Sequence, residues 1–192
     1  MTYAFIRHGQ TDWNREDRLQ GSSDIPLNER GREQAAEAVD VVRGTEWAAV
    51  VSSPLSRARE TAQIIADRLG VPLGAAYEEL TERDYGPLEG FNATEAMDRW
   101  PDREYPGAEP IPSVVERGRA GLARIADDYG DADVVIVCHG TIIRYTLASL
   151  AGSPVDGIRN GAVSTFRLDG DAWKVLTVNG EPFVAVAETD AD

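Results

Sequence analysis

Four times along the chain a short apolar run suited to a buried strand is followed by a segment with helical spacing, which restricts the fold to a sheet covered by helices. The first run, residues 2–7, leads into Gly9 and a polar stretch over residues 8–27 that reads as a functional loop. Asn28 is placed to cap a helix from Glu29 with apolar positions Ala35, Ala38, Val39 and Val42, ended by Gly44. The plan repeats with a strand at residues 48–52 and a helix at 58–69 running to Gly70. A weaker strand at 74–78 precedes an amphipathic helix at 113–129. An apolar strand at 133–138 precedes a helix at 141–150 ending at Gly152. Strands at 162–168 and 173–178 flank Asp169-Gly170, a hairpin signal. The expected fold class is α/β: a three-layer α/β/α sandwich with a mainly parallel central sheet and an antiparallel C-terminal edge hairpin.

A length of 192 residues with 42% hydrophobic content suits one compact domain over 1–192. Residues 81–113 are rich in Pro, Gly, Asp and Glu and read as an excursion over the catalytic end, where specificity would reside. From about Glu188 the tail is expected to fray. No run approaches the roughly 18 apolar residues of a membrane span, and the N-terminus lacks a charged region followed by a long apolar run and cleavage site, so the expected compartment is the cytoplasm. The net charge of −14 opposes nucleic acid and anionic membranes as partners. Cys138, the one cysteine, excludes an internal disulfide and reads as a small core residue.

The chemistry is carried by the two histidines. Each follows an apolar strand and precedes a glycine, in Ile6-Arg7-His8-Gly9 and in Val137-Cys138-His139-Gly140. Ligands of open α/β sheets bind beyond the carboxyl ends of the strands, so both imidazoles are expected on one rim. The strand at 48–52 ends on the same rim, and the loop after it carries Arg57 and Arg59. Arg7 and Arg57 supply planar forks suited to phosphate oxygens, whereas Arg59 lies two residues on and is read as a surface or ion-pairing residue.

The segment Arg7-His8-Gly9-Gln10-Thr11-Asp12-Trp13-Asn14 resembles the signature of the histidine phosphatase superfamily, the phosphoglycerate mutase-like proteins. Leu19-Gln20-Gly21, Ser52-Ser53-Pro54-Leu55-Ser56-Arg57-Ala58, Leu80-Thr81-Glu82-Arg83-Asp84-Tyr85-Gly86 and Cys138-His139-Gly140 follow in family order. The resemblance implies His8 as nucleophile, Arg7, Arg57 and His139 as the phosphate pocket, and Glu82 as proton donor. It adds Asn14 as a phosphate contact and Thr11, Gln20 and Gly21 as pocket positions. Thr141 is placed to present its amide at a helix N-terminus. The neutral His8 ring needs its second nitrogen tied to a carbonyl near Gly9. The implied activity is hydrolysis of a small phosphorylated metabolite through a phosphohistidine, with no metal and no cofactor.

Spacing alone does not choose among Glu78, Glu79, Glu82 and Glu89 for the acid; the family pattern selects Glu82. A metal site at the histidines is opposed by the adjacent arginines and the lack of HExxH or CxxC patterns. No GxSxG elbow supports a serine hydrolase. Asn92-Ala93-Thr94 is a chance sequon, and Trp13, Trp47, Trp100 and Trp173 are read as packing residues, Trp100 also as a candidate pocket wall. A phosphoglycerate mutase is the alternative function, disfavoured because the family's mutases carry an extra segment after their glutamate. A phospho-ligand binder without turnover is a third, opposed by the intact core residues. Pro110 departs from the family's Gly-Glu-Ser pattern near Glu109, while Arg117 keeps its place. The terminal hairpin edge is a candidate for homodimer pairing.

Overall fold

The computed structural model describes residues 1–170 and 172–185; the expected frayed tail lies outside them. Strand β1 (Thr2–Arg7) is followed by a single turn of helix, α1 (Asp12–Arg15), inside the expected loop. Then come α2 (Glu29–Val42), β2 (Trp47–Ser52), α3 (Ser56–Leu69) and β3 (Leu73–Ala76). After α4 (Ala93–Arg99) and α5 (Ile111–Tyr129) follow β4 (Asp133–Cys138), α6 (Gly140–Ala151), β5 (Val163–Asp169) and β6 (Ala172–Val175). The sheet order is β3-β2-β4-β1-β5-β6; β3, β2, β4 and β1 run parallel, and β5 and β6 are antiparallel.

Alternation along the central strands divides the core in two. Ala4 and Ile6 of β1 and Val135 and Val137 of β4 face the α2 and α3 side with Val39, Ala62 and Ile65. Tyr3, Phe5, Val134 and Ile136 face the α5 and α6 side with Leu122, Ile125, Ile142 and Leu147. Both faces of β1 and β4 are thus apolar, which is why these strands read as continuous hydrophobic runs. Each of the buried valines, leucines, isoleucines and Phe5 contributes about 1.5–3 kcal/mol.

Three expectations are revised. The strand expected at 173–178 breaks after Val175. Leu176 still donates to Thr165 O at 2.9 Å, but the Thr177 hydroxyl, rather than a carbonyl, takes the Thr165 amide at 3.0 Å. The chain then forms a small hairpin of β7 (Thr177–Val178) and β8 (Glu181–Pro182) around Asn179 and Gly180, both at positive φ. The long helix begins at Ile111 rather than 113, because Pro112 fits the first helical turn. The strand expected at 74–78 ends at Ala76, since Glu78–Leu80 winds into a 3-10 turn. Among the described residues no helix is long and apolar enough to cross a membrane.

Candidate active site

Strand register brings the two histidines together. In the parallel pairing of β1 with β4, Arg7 lies opposite Cys138, and the His8 amide donates to Cys138 O at 2.9 Å. His8 and His139 therefore leave adjacent strands side by side, with ring centroids 5.1 Å apart. In β2, Ser52 pairs with Val137, and the Ser53 amide donates to Val137 O at 2.9 Å, which carries Ser53 Oγ to within 2.8 Å of His139 Nε2.

The His8 loop is pinned from below. The Gly9 amide donates to Thr61 Oγ1 of α3 at 3.1 Å. A Cβ at Gly9 would collide with the Gly31 backbone at the start of α2, so both positions require glycine for close approach rather than for φ. Thr11 caps α1, and its hydroxyl lies 2.9 Å from Gln20 Oε1. Asn160 Nδ2 donates to His8 O at 3.0 Å and to Asn14 Oδ1 at 3.1 Å, which ties both ends of the loop together.

Among the described residues only Nδ1 of the His8 ring is engaged, at 2.7 Å from Gly9 O. A carbonyl can only accept, so Nδ1 carries the proton and Nε2 keeps a free lone pair. Burial holds the His8 pKa well below its ordinary value, and the charges of Arg57 and Arg7 push it further the same way, so the ring is neutral near pH 7. His139 is held neutral too, by burial first and then by Arg57, His8 and Arg7.

The two arginines are fixed by backbone carbonyls. Arg7 donates from Nη1 to Ile158 O at 2.6 Å, and Gly140 at the start of α6 lets the helix pass close to its guanidinium. Arg57 is fully buried and donates to Ser23 O and Gly21 O, each at 2.8 Å. Those carbonyls are held in turn by Glu89, whose carboxylate takes the amides and hydroxyls of Ser22 and Ser23. The Nε of each arginine is buried without a partner among the described residues, as is His139 Nδ1. A buried donor left unpaired costs roughly 1–3 kcal/mol, which an anion's oxygens would recover.

Glu82 faces this group across a cavity of about 420 Å³. Its Oε2 accepts from the Thr141 amide at 3.1 Å, and its Oε1 from the Ile142 amide at 3.3 Å and the Arg83 amide at 2.9 Å. The Thr141 amide, expected to point at a phosphate, is thus occupied by Glu82, since a helix N-terminus draws in the nearest carboxylate. Arg117 clamps the turn before Glu82, donating to Glu79 O at 2.7 Å and Thr81 O at 3.0 Å while pairing twice with Glu109. In the segment that departs from the family pattern, Ser113 Oγ reaches Glu109 Oε1 at 2.8 Å, so the hydroxyl comes from three residues beyond Pro110.

Of the sequence-derived candidates, Arg7, His8, Asn14, Gln20, Gly21, Arg57, Glu82 and Thr141 line the cavity. His139 and Thr11 are fully buried and are not among its lining residues. Glu79 pairs with Arg124 at 3.0 Å, and Glu89 serves the loop, so neither is free to act as an acid. Arg59 donates to Gly74 O at 2.8 Å, bracing β3 rather than forming an ion pair. Asn92 caps α4, and Trp100 packs edge-on against Tyr105 outside the cavity wall. Among the described residues no three His, Cys, Asp or Glu side chains gather as a metal site would need.

The profile of the histidine phosphatase superfamily (branch 1) matches residues 3–181. The chain belongs to this superfamily. Among curated proteins it is similar to the uncharacterized phosphatase PhoE of Bacillus subtilis, at 35% identity over 92% of this chain and 93% of that one. Phosphoglycerate mutase-like protein 4 of Arabidopsis thaliana is 36% identical over 88% of this chain and 81% of its own. Among solved structures, mycobacterial glucosyl-3-phosphoglycerate phosphatase in complex with VO3 superposes with a TM-score of 0.83 at 27% identity, covering 93% of this chain and 98% of that one.

Some wall residues of this histidine phosphatase carried no role in the sequence reading. Tyr85, whose hydroxyl lies 2.7 Å from Thr141 Oγ1, stands three residues past Glu82 in a recognised segment. Asn160 has no local signal, being 152 residues from His8. Arg103, Arg144 and Tyr145 come from the excursion and from α6.

Proposed function

We propose that the protein is a phosphatase that hydrolyses a small phosphate monoester through a phosphohistidine on His8. The carrying observation is the His8 ring: neutral, its Nδ1 bound to Gly9 O, its Nε2 free, set between the fully buried Arg57 and the half-buried Arg7, each with an unused Nε donor.

In the first step Nε2 attacks phosphorus as the bond to the leaving oxygen breaks, and the Glu82 carboxyl gives its proton to that oxygen. The phosphorylated ring carries positive charge, which Gly9 O stabilises through the Nδ1 proton. Arg7, Arg57 and His139 stabilise the charge on the equatorial oxygens, and Asn14 contributes a further polar contact. In the second step water attacks phosphorus, Glu82 takes the water's proton, and the P–N bond breaks to return the lone pair to Nε2. Thr11, Gln20 and Gly21 hold the loop wall, and Thr141 holds Glu82. The names of the Bacillus and mycobacterial relatives, both phosphatases, support hydrolysis.

The test is phosphate release from p-nitrophenyl phosphate in excess chelator, by wild type and His8→Ala side by side. The expected result is wild-type turnover that vanishes in the variant; equal turnover in both overturns the His8 mechanism. The name of the Arabidopsis relative favours a mutase as the second reading. Inactivity of both proteins, with wild-type turnover of 3-phosphoglycerate only when primed by a bisphosphoglycerate, would establish it.

A further inference from the structure

The cavity carries more positive charge than one phosphoryl group requires. Five arginines line it against two carboxylates, in a chain of net charge −14. Elsewhere Arg15, Arg30, Arg32, Arg43, Arg124 and Arg167 each hold a carboxylate. Arg59, Arg83, Arg119 and Arg159 hold only neutral acceptors, and Arg68 and Arg99 have no carboxylate among the described residues, so it is the place of the unpaired arginines in the cavity that matters. Arg7 and Arg57 serve the phosphoryl site, and Arg18 pairs with Glu16 at 3.0 Å. Arg103 and Arg144 remain, half-buried and without a carboxylate partner among the described residues.

Both are held in place by contacts that leave their charge unneutralised. Arg144 donates from Nε to Val155 O at 2.7 Å and lies over the Tyr145 ring, which leaves both Nη groups without a hydrogen-bond partner among the described residues. Arg103 has φ of +62°, a left-handed backbone that glycine, asparagine or aspartate adopts at less cost. That conformation is locked from both sides, by its amide on Trp100 O at 2.9 Å and by Arg83 Nη2 on its carbonyl at 3.0 Å. A second cavity of about 460 Å³ adjoins the first through Arg103 and Tyr145. The main cavity itself lies in the size range of sites that hold whole small molecules, about 300–1,000 Å³.

We propose that Arg103 and Arg144 form a second anion subsite, so that the preferred substrate bears an acidic group on its leaving alcohol in addition to the phosphoryl group transferred. This assignment rests on the phosphatase reading. An arginine fork binds carboxylate and phosphate oxygens alike, so the acidic group is a carboxylate or a second phosphate. In both cases the anion neutralises charge that the fold leaves unpaired, and it orients the leaving oxygen toward Glu82.

The test compares kcat/KM within matched pairs. Phosphoserine against phosphoethanolamine isolates a carboxylate; fructose 1,6-bisphosphate against fructose 6-phosphate isolates a second phosphate. Wild type is expected to prefer the acidic member of one pair by about tenfold or more, and the pair that responds identifies the group. Arg144→Gln and Arg103→Gln are each expected to lower that ratio about tenfold. No preference in either pair, or a ratio that survives both substitutions, overturns the subsite. A lesion that is merely structural lowers both members together and leaves the ratio intact. Should even p-nitrophenyl phosphate fail to turn over, the phosphatase reading falls separately. Calorimetric binding of the same four compounds to wild type and Arg144→Gln then decides the subsite by the same ratios.

Discussion

Arg57 does several things with one guanidinium: Nη1 and Nη2 hold the carbonyls of Ser23 and Gly21, and the proposed mechanism gives the remaining Nε to the phosphoryl group. A lysine has one point charge and no fork, so Arg57→Lys leaves buried carbonyls unpaired and displaces the charge. The expected result is a fall in kcat/KM of about 100-fold or more, with a stability loss of about 2–3 kcal/mol by urea denaturation. An active Arg57→Lys of wild-type stability would refute this view of the clamp. Tyr85→Phe makes a smaller cut, removing the 2.7 Å contact to Thr141 Oγ1; about 1 kcal/mol of stability and a several-fold loss of kcat/KM are expected. The histidines, arginines and Glu82 were legible because short motifs carry them, and the tie from His8 Nδ1 to Gly9 O followed from the chemistry of a nucleophilic imidazole. The supports were not legible: Glu89 under the Arg57 carbonyls, Asn160 on the His8 carbonyl and Ser53 on His139 are long-range contacts that no local pattern announces.

Helices α5 and α6 cross where Gly118 meets Thr146, and a Cβ at 118 would overlap the Thr146 side chain. Gly118→Ala is therefore expected to destabilise by about 1–3 kcal/mol despite its better helix propensity. Thr146→Ala removes the obstructing hydroxyl, which is itself buried without a partner, so the double variant should recover most of that loss. Additive effects in the double-mutant cycle would show that the two residues do not share the crossing. This contact matters to the site because α6 presents the Thr141 and Ile142 amides to Glu82 while α5 carries Arg117. The elements themselves were legible wherever apolar periodicity ran without interruption, as in β1, β4 and α2. Where a side chain replaces a backbone partner, as Thr177 does for Thr165, periodicity alone misplaces the end of a strand. The Asn179-Gly180 pair was a turn signal available in the sequence and stands at the hairpin that the reading passed over.

At the scale of the whole molecule, the sheet register that makes the site also makes folding pH-dependent. Both histidines are driven below their ordinary pKa by burial and by the same arginines, so the folded chain excludes two protons that the unfolded chain takes up. With fewer protons on the folded state, stability is fully present above the unfolded histidine pKa of about 6.5 and falls as pH drops below it. Each histidine contributes a slope approaching about 1.4 kcal/mol per pH unit in that window, which lies above the ordinary carboxylate range. Urea titrations between pH 7.5 and 5.5 are expected to show this loss in wild type, and His139→Asn should remove about half of the slope. An unchanged slope in that variant would mean that His139 takes up a proton in the folded state near neutral pH. A phosphate dianion bound beside the rings would oppose the arginine charges that add to burial in keeping them neutral. Adding inorganic phosphate should therefore make the loss of stability below about pH 6.5 smaller, because an anion beside the imidazoles raises their folded-state pKa toward the unfolded value.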